Sequence, residues 1–195
     1  DQESVDLIAY LALECLLLKK FAGILWVTFD GPDYSSQVAD YFFDKEKGFF
    51  FDRRLKDGSF IQEPGCEAYT PLWTKVATAD QVKAMLPLLT DTAKFSTYIP
   101  FPTVAADHPK YNPRGYWRGP IWLDQTYFAI RGLRNYGYNK MADEYTLQVF
   151  DRLQGLKEGA PIHENYGTHT GELLKAPHFS WSSSHLLMLY DDYGK

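Results

Sequence analysis

The sequence predicts an all-α fold that carries one small β-hairpin as an insertion between helices. Apolar residues recur at helical spacing through most of the chain, and short turns rich in Gly and Pro separate these segments, which is typical of antiparallel helix pairs. The exception is a group of phenylalanines followed by Lys56-Asp57-Gly58. An Asp-Gly pair between apolar runs favours a tight turn, so the hairpin is predicted in residues 47–61, joining residues 49–51 to 60–61.

The first helix is predicted over residues 1–25, with Ser4 as its N-cap. Leucines and alanines between Leu7 and Leu18 lie on almost every side of this helix. A helix that is apolar all round has to be buried by its neighbours. Because residues 1–195 supply no obvious partner for so much apolar surface, we expect this chain not to fold stably on its own.

Three further helices are predicted over residues 34–43, 80–89 and 139–154. Another is expected to begin at Pro120, whose fixed φ suits a first helical position. It is expected to end at Tyr136-Gly137, where glycine can adopt the left-handed conformation. No linker or low-complexity tract divides the chain, so one domain is predicted.

The last part of the chain is predicted to consist of extended segments and loops before a final helix. His163 and Glu164 are expected on a turn or an extended piece, and residues 168–175 in a polar loop. Ser180 or Ser182 is expected to cap the final helix.

Composition excludes several classes of function. The net charge of −5 gives no positive field for a phosphate backbone, so no nucleic-acid partner is expected. No apolar run reaches the length of about 20 residues that spans a bilayer, so no membrane segment is expected. Cys15 and Cys66 form neither a disulfide framework nor a metal-ligand pattern. The aromatic content of 16% fits either a large core or rings that line a sugar site.

The most informative stretch runs from residue 112 to residue 138. A Gly-rich aromatic loop leads into the helix expected at Pro120, and Trp117, Arg118 and Asp124 fall close to that point. A flat ring, a fork of N–H donors and an acceptor at one helix start suit a binding pocket. Arg118 and Asp124 could instead form a buried ion pair.

Two motifs carry a resemblance to a known family. The first is Tyr116-Trp117-Arg118-Gly119 followed by Trp122-Leu123-Asp124-Gln125. The second comprises Glu164-Asn165-Tyr166, Thr170-Gly171, Ala176-Pro177 and Phe179-Ser180-Trp181-Ser182. In order and spacing they resemble the YWRG-x-x-W-x-D-Q and ENY…TG…AP-x-FSWS runs of glycoside hydrolase family 63, most closely those of its bacterial α-glucosidases.

This resemblance implies an (α/α)6 toroid, in which helix ends and the loops after them face one cleft. It also implies that residues 1–195 are the C-terminal portion of a single catalytic domain, whose N-terminal portion is absent from this chain. The implied activity is inverting hydrolysis of α-glucosidic bonds. The implied partners are an α-glucoside oligosaccharide and the missing N-terminal part of the toroid. The family's general-acid Asp lies in that part, so this chain alone is not expected to hydrolyse anything.

Glu164 is the catalytic residue that the resemblance implies. Inverting hydrolysis needs an acid and a base on opposite sides of the scissile bond, and the Glu of ENY is the family's base. A position between Pro161 and Gly167 also favours a functional role, because site carboxylates are often carried on loops of a rigid scaffold.

Substrate-binding roles are implied for other residues of the two motifs. They are Trp117, Arg118, Gly119, Trp122, Asp124, Tyr166, Phe179 and Trp181. The tryptophans could equally be core rings, although Trp117 and Trp181 each lie beside a polar group in a loop.

Glu67 is a further candidate for binding a sugar hydroxyl. Residues 67–72 (EAYTPL) resemble the family's E-G-W-x-P-L run, with Ala68 and Tyr69 in place of Gly and Trp. Glu67 could instead cap the helix that Pro71 starts.

Glu3 lies in a QESVD stretch that also resembles the family, where the matching Glu helps to hold a calcium ion. The resemblance therefore implies Ca²⁺ as a cofactor with Glu3 as one ligand. The remaining ligands would lie outside this chain, because calcium takes 6–8 oxygen ligands. Glu3 could also be an ordinary acid in the first turn of a helix.

Two other functions remain open. A non-catalytic carbohydrate-binding relic would keep the cleft without catalysis, and an Asp in a family-type motif before residue 1 would argue against it. A trehalase-like inverting hydrolase would share the layout, and a panel of α-glucosides would identify it. Linkage preference and oligomeric state are not readable from the sequence, and the resemblance favours a soluble protein of the periplasm or a secreted one.

Overall fold

The computed structural model describes all of residues 1–195, and helices dominate it. The helices are α1 (Val5–Leu25), α2 (Ser35–Tyr41), α3 (Thr70–Trp73), α4 (Ala79–Leu89), α5 (Leu123–Asn135), α6 (Asn139–Arg152) and α7 (Ser180–Asp192). A 3₁₀ turn, Cys66–Tyr69, leads directly into α3. The prediction of a mostly helical fold is confirmed.

Six short strands accompany the helices. They are β1 (Gln2–Glu3), β2 (Phe43–Asp44), β3 (Phe49–Phe50), β4 (Arg53–Arg54), β5 (His163–Tyr166) and β6 (Leu173–Pro177). They form three separate two-stranded antiparallel sheets, β1–β4, β2–β3 and β5–β6.

Helix α5 lies at the centre of the fold and packs against α3, α6 and α7. Its side chains Ile130 and Leu133 are buried in a core of 32 residues. Aromatic rings form another part of this core, where Phe49 stacks on Phe95 at 5.6 Å and Tyr69 meets Phe95 edge-on. None of the helices combines the length and the apolar character that crossing a bilayer requires.

Helix α1 begins at Val5 and not at the first residue, because β1 pairs with β4 immediately before it. Ser4 is the N-cap residue, as predicted, although its side chain makes no capping hydrogen bond. The Val5 amide instead donates to Oδ1 of Asp52 at 2.8 Å. A side chain from a distant part of the chain therefore caps the helix start.

The second half of α1 lies largely exposed. Helix α2, with 7 residues, is about 10 Å long, whereas α1, with 21 residues, is about 31 Å long. The short helix therefore covers only part of the long one. Large apolar side chains remain in solvent: Leu16, Leu17, Leu18, Phe21, Ile24 and Leu25, followed by Trp26 at 95% exposure.

The predicted hairpin forms with different partners. Phe49 and Phe50 pair with Asp44 and Phe43 across a turn at Gly48, not with residues 60–61. The Asp-Gly turn does form, with Gly58 at φ 68°, and it joins residues 52–54 to residues 59–61. The phenylalanines of β2 and β3 are all buried. Burial in the core therefore favours pairing of β3 with β2 over pairing with the segment beyond the exposed Asp57-Gly58 turn.

Helix α5 starts at Leu123, so the prediction of a start at Pro120 was wrong. The backbone of Ile121 exchanges two hydrogen bonds with Tyr166, at 2.9 and 3.1 Å. This pairing keeps Ile121 extended and delays the helix. The predicted end is confirmed, with Gly137 at φ 85°.

The C-terminal segment contains one strand that the sequence did not predict. Residues 168–175 were expected as a loop, but β6 begins at Leu173 and pairs with β5. Phe179 is the N-cap residue of α7, so neither Ser180 nor Ser182 caps it. Ser182 instead donates through Oγ to the Glu164 carbonyl at 3.2 Å, which ties α7 to β5.

Candidate active site

Glu164 lies on β5, as the prediction of an extended segment required, and its side chain is half-buried. Its Oε1 accepts a hydrogen bond from the Tyr116 hydroxyl at 2.6 Å. The strand itself is held on both sides, by Ser182 of α7 and by the Ile121–Tyr166 pairing. The carboxylate is therefore fixed where the residue 112–119 loop meets β5.

Aromatic rings lie against Tyr116, the partner of this carboxylate, with Trp117 at 6.1 Å and Trp122 at 5.0 Å. Trp117 stacks on Trp122 with the ring centroids 4.1 Å apart and the planes at 7°. Phe179 and Trp181 lie against Trp122 at 6.3 and 6.4 Å. Trp122 is buried, whereas Trp117 and Trp181 are 45% and 57% exposed. The exposed pair offers flat faces to a ligand, and Trp122 supports them from within the core.

Gly119 has a backbone role in the loop. Its φ is 155°, and a Cβ at this position would come within 2.5 Å of the Asn112 carbonyl oxygen. Its amide donates to Oγ1 of Thr103 at 3.0 Å, and its carbonyl accepts from Oγ1 of Thr168 at 2.6 Å. Gly119 is buried, so it shapes the aromatic loop and does not present a surface to a sugar.

Tyr166 is also buried, with 1% exposure. Its hydroxyl accepts a hydrogen bond from the His163 amide at 3.1 Å, and burial raises its pKa. Tyr166 therefore belongs to the core and is not open to a ligand.

Arg118 and Asp124 do not form the ion pair that was considered for them. The Arg118 guanidinium is exposed and makes no salt bridge. Asp124 lies in the first turn of α5, half-buried, and accepts from the Gln125 amide group at 3.2 Å. Both groups stay available to a ligand.

A second group of predicted residues meets at one small cavity of about 170 Å³. Glu67, Trp117 and Arg118 line it, and so do residues that the sequence did not single out, among them His108 and Lys110. These two side chains both pair with Glu63, at 2.7 and 2.9 Å. The ring of Trp117 also meets that of Tyr116 at 6.1 Å, so Trp117 links this cavity to the hydrogen-bond partner of Glu164.

Burial raises the pKa of Glu67 to about 8, and the negative charges of Asp52, Asp6 and Glu63 add to this effect. The side chain is therefore a neutral carboxylic acid near pH 7, able to donate a hydrogen bond. Glu67 does not cap α3, whose start has no side-chain cap, so that alternative was wrong.

Glu3 lies away from these groups, on β1. Its Oε2 accepts a hydrogen bond from the Tyr41 hydroxyl at 2.6 Å. No group of three or more His, Cys, Asp or Glu side chains is arranged to hold a metal ion.

Two residues beside Glu164 were missed by the sequence analysis. Tyr116 binds the carboxylate, and the Lys175 ammonium lies 5.7 Å from the centre of the Tyr116 ring. Tyr116 could have been identified from the sequence, since it begins the YWRG run. Lys175 could not have been identified, because residues 168–175 were expected to form a loop and not a strand that pairs with the strand of Glu164.

A carboxylate held near exposed tryptophans, on a helical scaffold, is typical of glycoside hydrolase domains. More particularly, residues 32–182, well over half of the chain, match the family model of the "Mannosylglycerate hydrolase MGH1-like glycoside hydrolase domain". The chain belongs to this family, and the resemblance to glycoside hydrolase family 63 is confirmed.

Similar proteins agree with this assignment. The chain is 25% identical to mannosylglycerate hydrolase MGH1 of Selaginella moellendorffii, over 89% of this chain and 37% of that protein. It is 28% identical to mannosylglycerate hydrolase of Thermus thermophilus, over 72% of this chain and 33% of that protein. The chain thus spans about a third of the length of these relatives.

Solved structures share the fold. The GH63 mannosylglycerate hydrolase from Thermus thermophilus, in complex with Tris, superposes with a TM-score of 0.79 at 22% identity, over 96% of this chain and 44% of that chain. The neutral trehalase Nth1 from Saccharomyces cerevisiae superposes with a TM-score of 0.66 at 20% identity, over 83% of this chain and 30% of that chain.

Proposed function

We propose that this chain is the C-terminal part of an inverting glycoside hydrolase, with Glu164 as its general base. The observation that carries this proposal is the hydrogen bond that holds the Glu164 carboxylate to Tyr116, whose ring lies against Trp117 and Trp122. The rest of the (α/α)6 toroid completes the enzyme. By "complete enzyme" we mean this chain together with the residues that supply that remainder.

In the proposed reaction, Glu164 takes a proton from a water molecule, and the water oxygen attacks the anomeric carbon. The bond from that carbon to the glycosidic oxygen breaks on the opposite face of the sugar. A carboxylic acid about 6.5–9.5 Å from the base gives its proton to the departing oxygen. In the family resemblance this acid is an Asp of the N-terminal part of the toroid.

The proposed substrate is an α-glycoside whose leaving group is small and acidic. The relatives named above are mannosylglycerate hydrolases, which favours such a compound over the α-glucoside oligosaccharide expected from the sequence. Two cations of this chain suit a carboxylate: the unpaired guanidinium of Arg118, with its planar fork of donors, and the Lys175 ammonium beside Tyr116.

The proposed partner is the remaining part of the toroid, packed on the exposed apolar side of α1. Glu3 would supply one oxygen to a calcium ion only if residues of that part supplied the rest of the shell. No step of the proposed reaction depends on calcium.

The deciding experiment is Glu164→Gln in the complete enzyme. The amide keeps the shape of the side chain and loses the base, so we expect kcat to fall on the order of 10²–10⁴-fold with substrate affinity nearly unchanged. Glu172→Gln is the matched control, since Glu172 is a nearby carboxylate paired with Arg114. If Glu164→Gln keeps most of the activity, the base must be sought at Glu67 or Asp124.

A substrate panel tests the finer proposal. Mannosylglycerate, its gluco epimer, maltose and trehalose would be compared by kcat/KM. Preference for the first two supports an acidic leaving group, and preference for maltose supports the α-glucosidase interpretation. Trehalose as the best substrate would identify the trehalase-like alternative. That alternative is included because the chain shares its fold with the trehalase Nth1. Binding of sugars without turnover of any would identify a carbohydrate-binding relic.

A further inference from the structure

The Glu164 carboxylate has one protein partner, the hydroxyl of Tyr116. Tyr116 Oη donates to Oε1 at 2.6 Å, and Oε2 accepts no hydrogen bond from the protein. The two oxygens are therefore not equivalent, since one is occupied and the other is open. Such an asymmetry suits a base that acts on a single water, because it directs the open oxygen to take the proton.

Tyr116 is held in place by a local conformation that few residues adopt. Its φ is 63°, which costs an L-residue about 1–2 kcal/mol and persists only where the surroundings impose it. Trp122 imposes it here, because its Nε1 donates to the Tyr116 carbonyl at 3.1 Å and its ring packs edge-on against Tyr116 at 5.0 Å.

The Tyr116 hydroxyl keeps its proton under working conditions. The hydrogen bond to the Glu164 carboxylate raises the pKa of Tyr116 above its ordinary value of 10.0. The phenol is thus a permanent donor near neutral pH and does not compete with Glu164 for the proton of the attacking water.

We propose that Tyr116 is the positioning residue of the general base: it binds Oε1 of Glu164 and leaves Oε2 to take the proton from the attacking water. This inference rests on the proposed role of Glu164. The proton passes from water to Oε2, the water oxygen bonds to the anomeric carbon, and Tyr116 is unchanged at the end. Trp122 acts one step further away, by fixing the backbone of Tyr116.

The first test is Tyr116→Phe in the complete enzyme. A misplaced base loses on the order of 100-fold in rate for a shift of about 1 Å, so we expect kcat to fall between about 10- and 100-fold. KM should stay within a few-fold, because the ring and its contacts remain. Tyr98→Phe is the matched control, since Tyr98 is similarly exposed and outside the site, and it should leave kcat unchanged. A normal kcat in Tyr116→Phe, or a loss confined to KM, would overturn the proposal.

The second test does not depend on activity. In the complete enzyme labelled with ¹³C at tyrosine Cζ, the Tyr116 signal is assigned by its disappearance in Tyr116→Phe. We expect Glu164→Gln to move the titration midpoint of Tyr116 downward, because the negative partner of the phenol is removed. An unmoved midpoint would show that the two groups are not coupled. If the midpoint moves but Glu164→Gln is fully active, the proposed base is wrong and the pairing is merely structural, which also overturns the inference.

Discussion

Trp117 and Trp122 lie with their indole planes parallel, although one ring is 45% exposed and the other is buried. The buried ring fixes the tilt of the exposed ring, because the stack leaves Trp117 only one free face. Trp117 also lines the cavity that Glu67 and Arg118 line, and its ring meets that of Tyr116, the partner of Glu164. A sugar stacked on Trp117 would therefore lie close to Glu67, Arg118 and Tyr116.

We predict that Trp117→Ala and Trp181→Ala weaken sugar binding by about 10-fold each while leaving the fold nearly intact. An exposed aromatic face contributes on the order of 0.5–1.5 kcal/mol to stacking beyond its buried area. The measurement is sugar affinity by calorimetry, with the melting temperature taken in parallel. Leu133→Ala is the control, since this fully buried leucine should cost about 2–5 kcal/mol of stability. Melting losses of that size in the tryptophan variants, with unchanged affinity, would make both rings part of the core.

The raised pKa of Glu67 leads us to predict that the stability of the protein depends on pH. Its pKa is about 8 in the folded protein against 4.5 ordinarily, so between these values the folded state holds a proton that the unfolded state has released. Stability that is present below about pH 4.5 is then lost as the pH rises toward 8. Because part of the side chain remains accessible, we expect about 1–3 kcal/mol to be lost across this range, at about 1.4 kcal/mol per pKa unit.

The variant Glu67→Gln should not lose this stability as the pH rises, since its amide does not ionise. Thermal melts of the complete enzyme at pH 5.5 and pH 8.5 would measure it, and Glu14→Gln, at an exposed glutamate, serves as the control. Identical pH slopes for wild type and Glu67→Gln would contradict the prediction.

Gly119→Ala should be more damaging than an ordinary glycine replacement. The added Cβ would lie 2.5 Å from the Asn112 carbonyl, so the aromatic loop must move. Gly137→Ala is the control, because it also has a positive φ but nothing lies within 4 Å of its added Cβ. We expect a cost of about 1–2 kcal/mol for Gly137→Ala and clearly more for Gly119→Ala, measured as the loss of melting temperature in the complete enzyme. Equal losses of stability in the two variants would show that the aromatic loop can move to accommodate the added Cβ at little cost.

We predict that the 195-residue chain, expressed by itself, neither melts cooperatively nor hydrolyses glycosides. Ile24 and Leu25 of α1 are 71% and 68% exposed, and Trp26 is 95% exposed. Such a surface binds other apolar surfaces when its own partner is missing. Calorimetry and binding of an apolar dye would measure this, with Ile24→Lys as a variant that should bind less dye. A cooperative melt with full activity on α-glycosides would refute the prediction.

Much of the helical layout was predictable, because it rests on periodic apolar residues. Helix α4 and the end of α5 fall where the sequence places them, and the extended backbone at Glu164 is also found. Two errors have different causes. Ile121 stays extended because it pairs with the distant Tyr166. Phe49 pairs with the nearby Asp44 across the turn at Gly48, a shorter hairpin than the one expected around the Asp-Gly pair. Local propensity carries no information about such partners.

The site was predictable only in part, because sequence motifs name residues but do not show which of them meet in space. Trp117, Trp181 and Glu164 were identified within their motifs, and the structure brings them to one region. Tyr166 belongs to the same motif as Glu164 but lies in the core, where its backbone pairs with Ile121. The role of Tyr116 depends on its hydrogen bond to Glu164, 48 residues further along the chain. No local sequence pattern predicts such a contact.

The cap on α1 has a consequence for how the chain folds. The Val5 amide is bound by Asp52, which also accepts from the Gln2 side chain, so the first turn of the longest helix is completed by a residue 47 positions away. Contacts of such separation form slowly, since a long loop has to close first. We therefore expect the start of α1 to become ordered only after the segment around Asp52 has docked, so that removal of the Asp52 carboxylate slows folding as well as lowering stability.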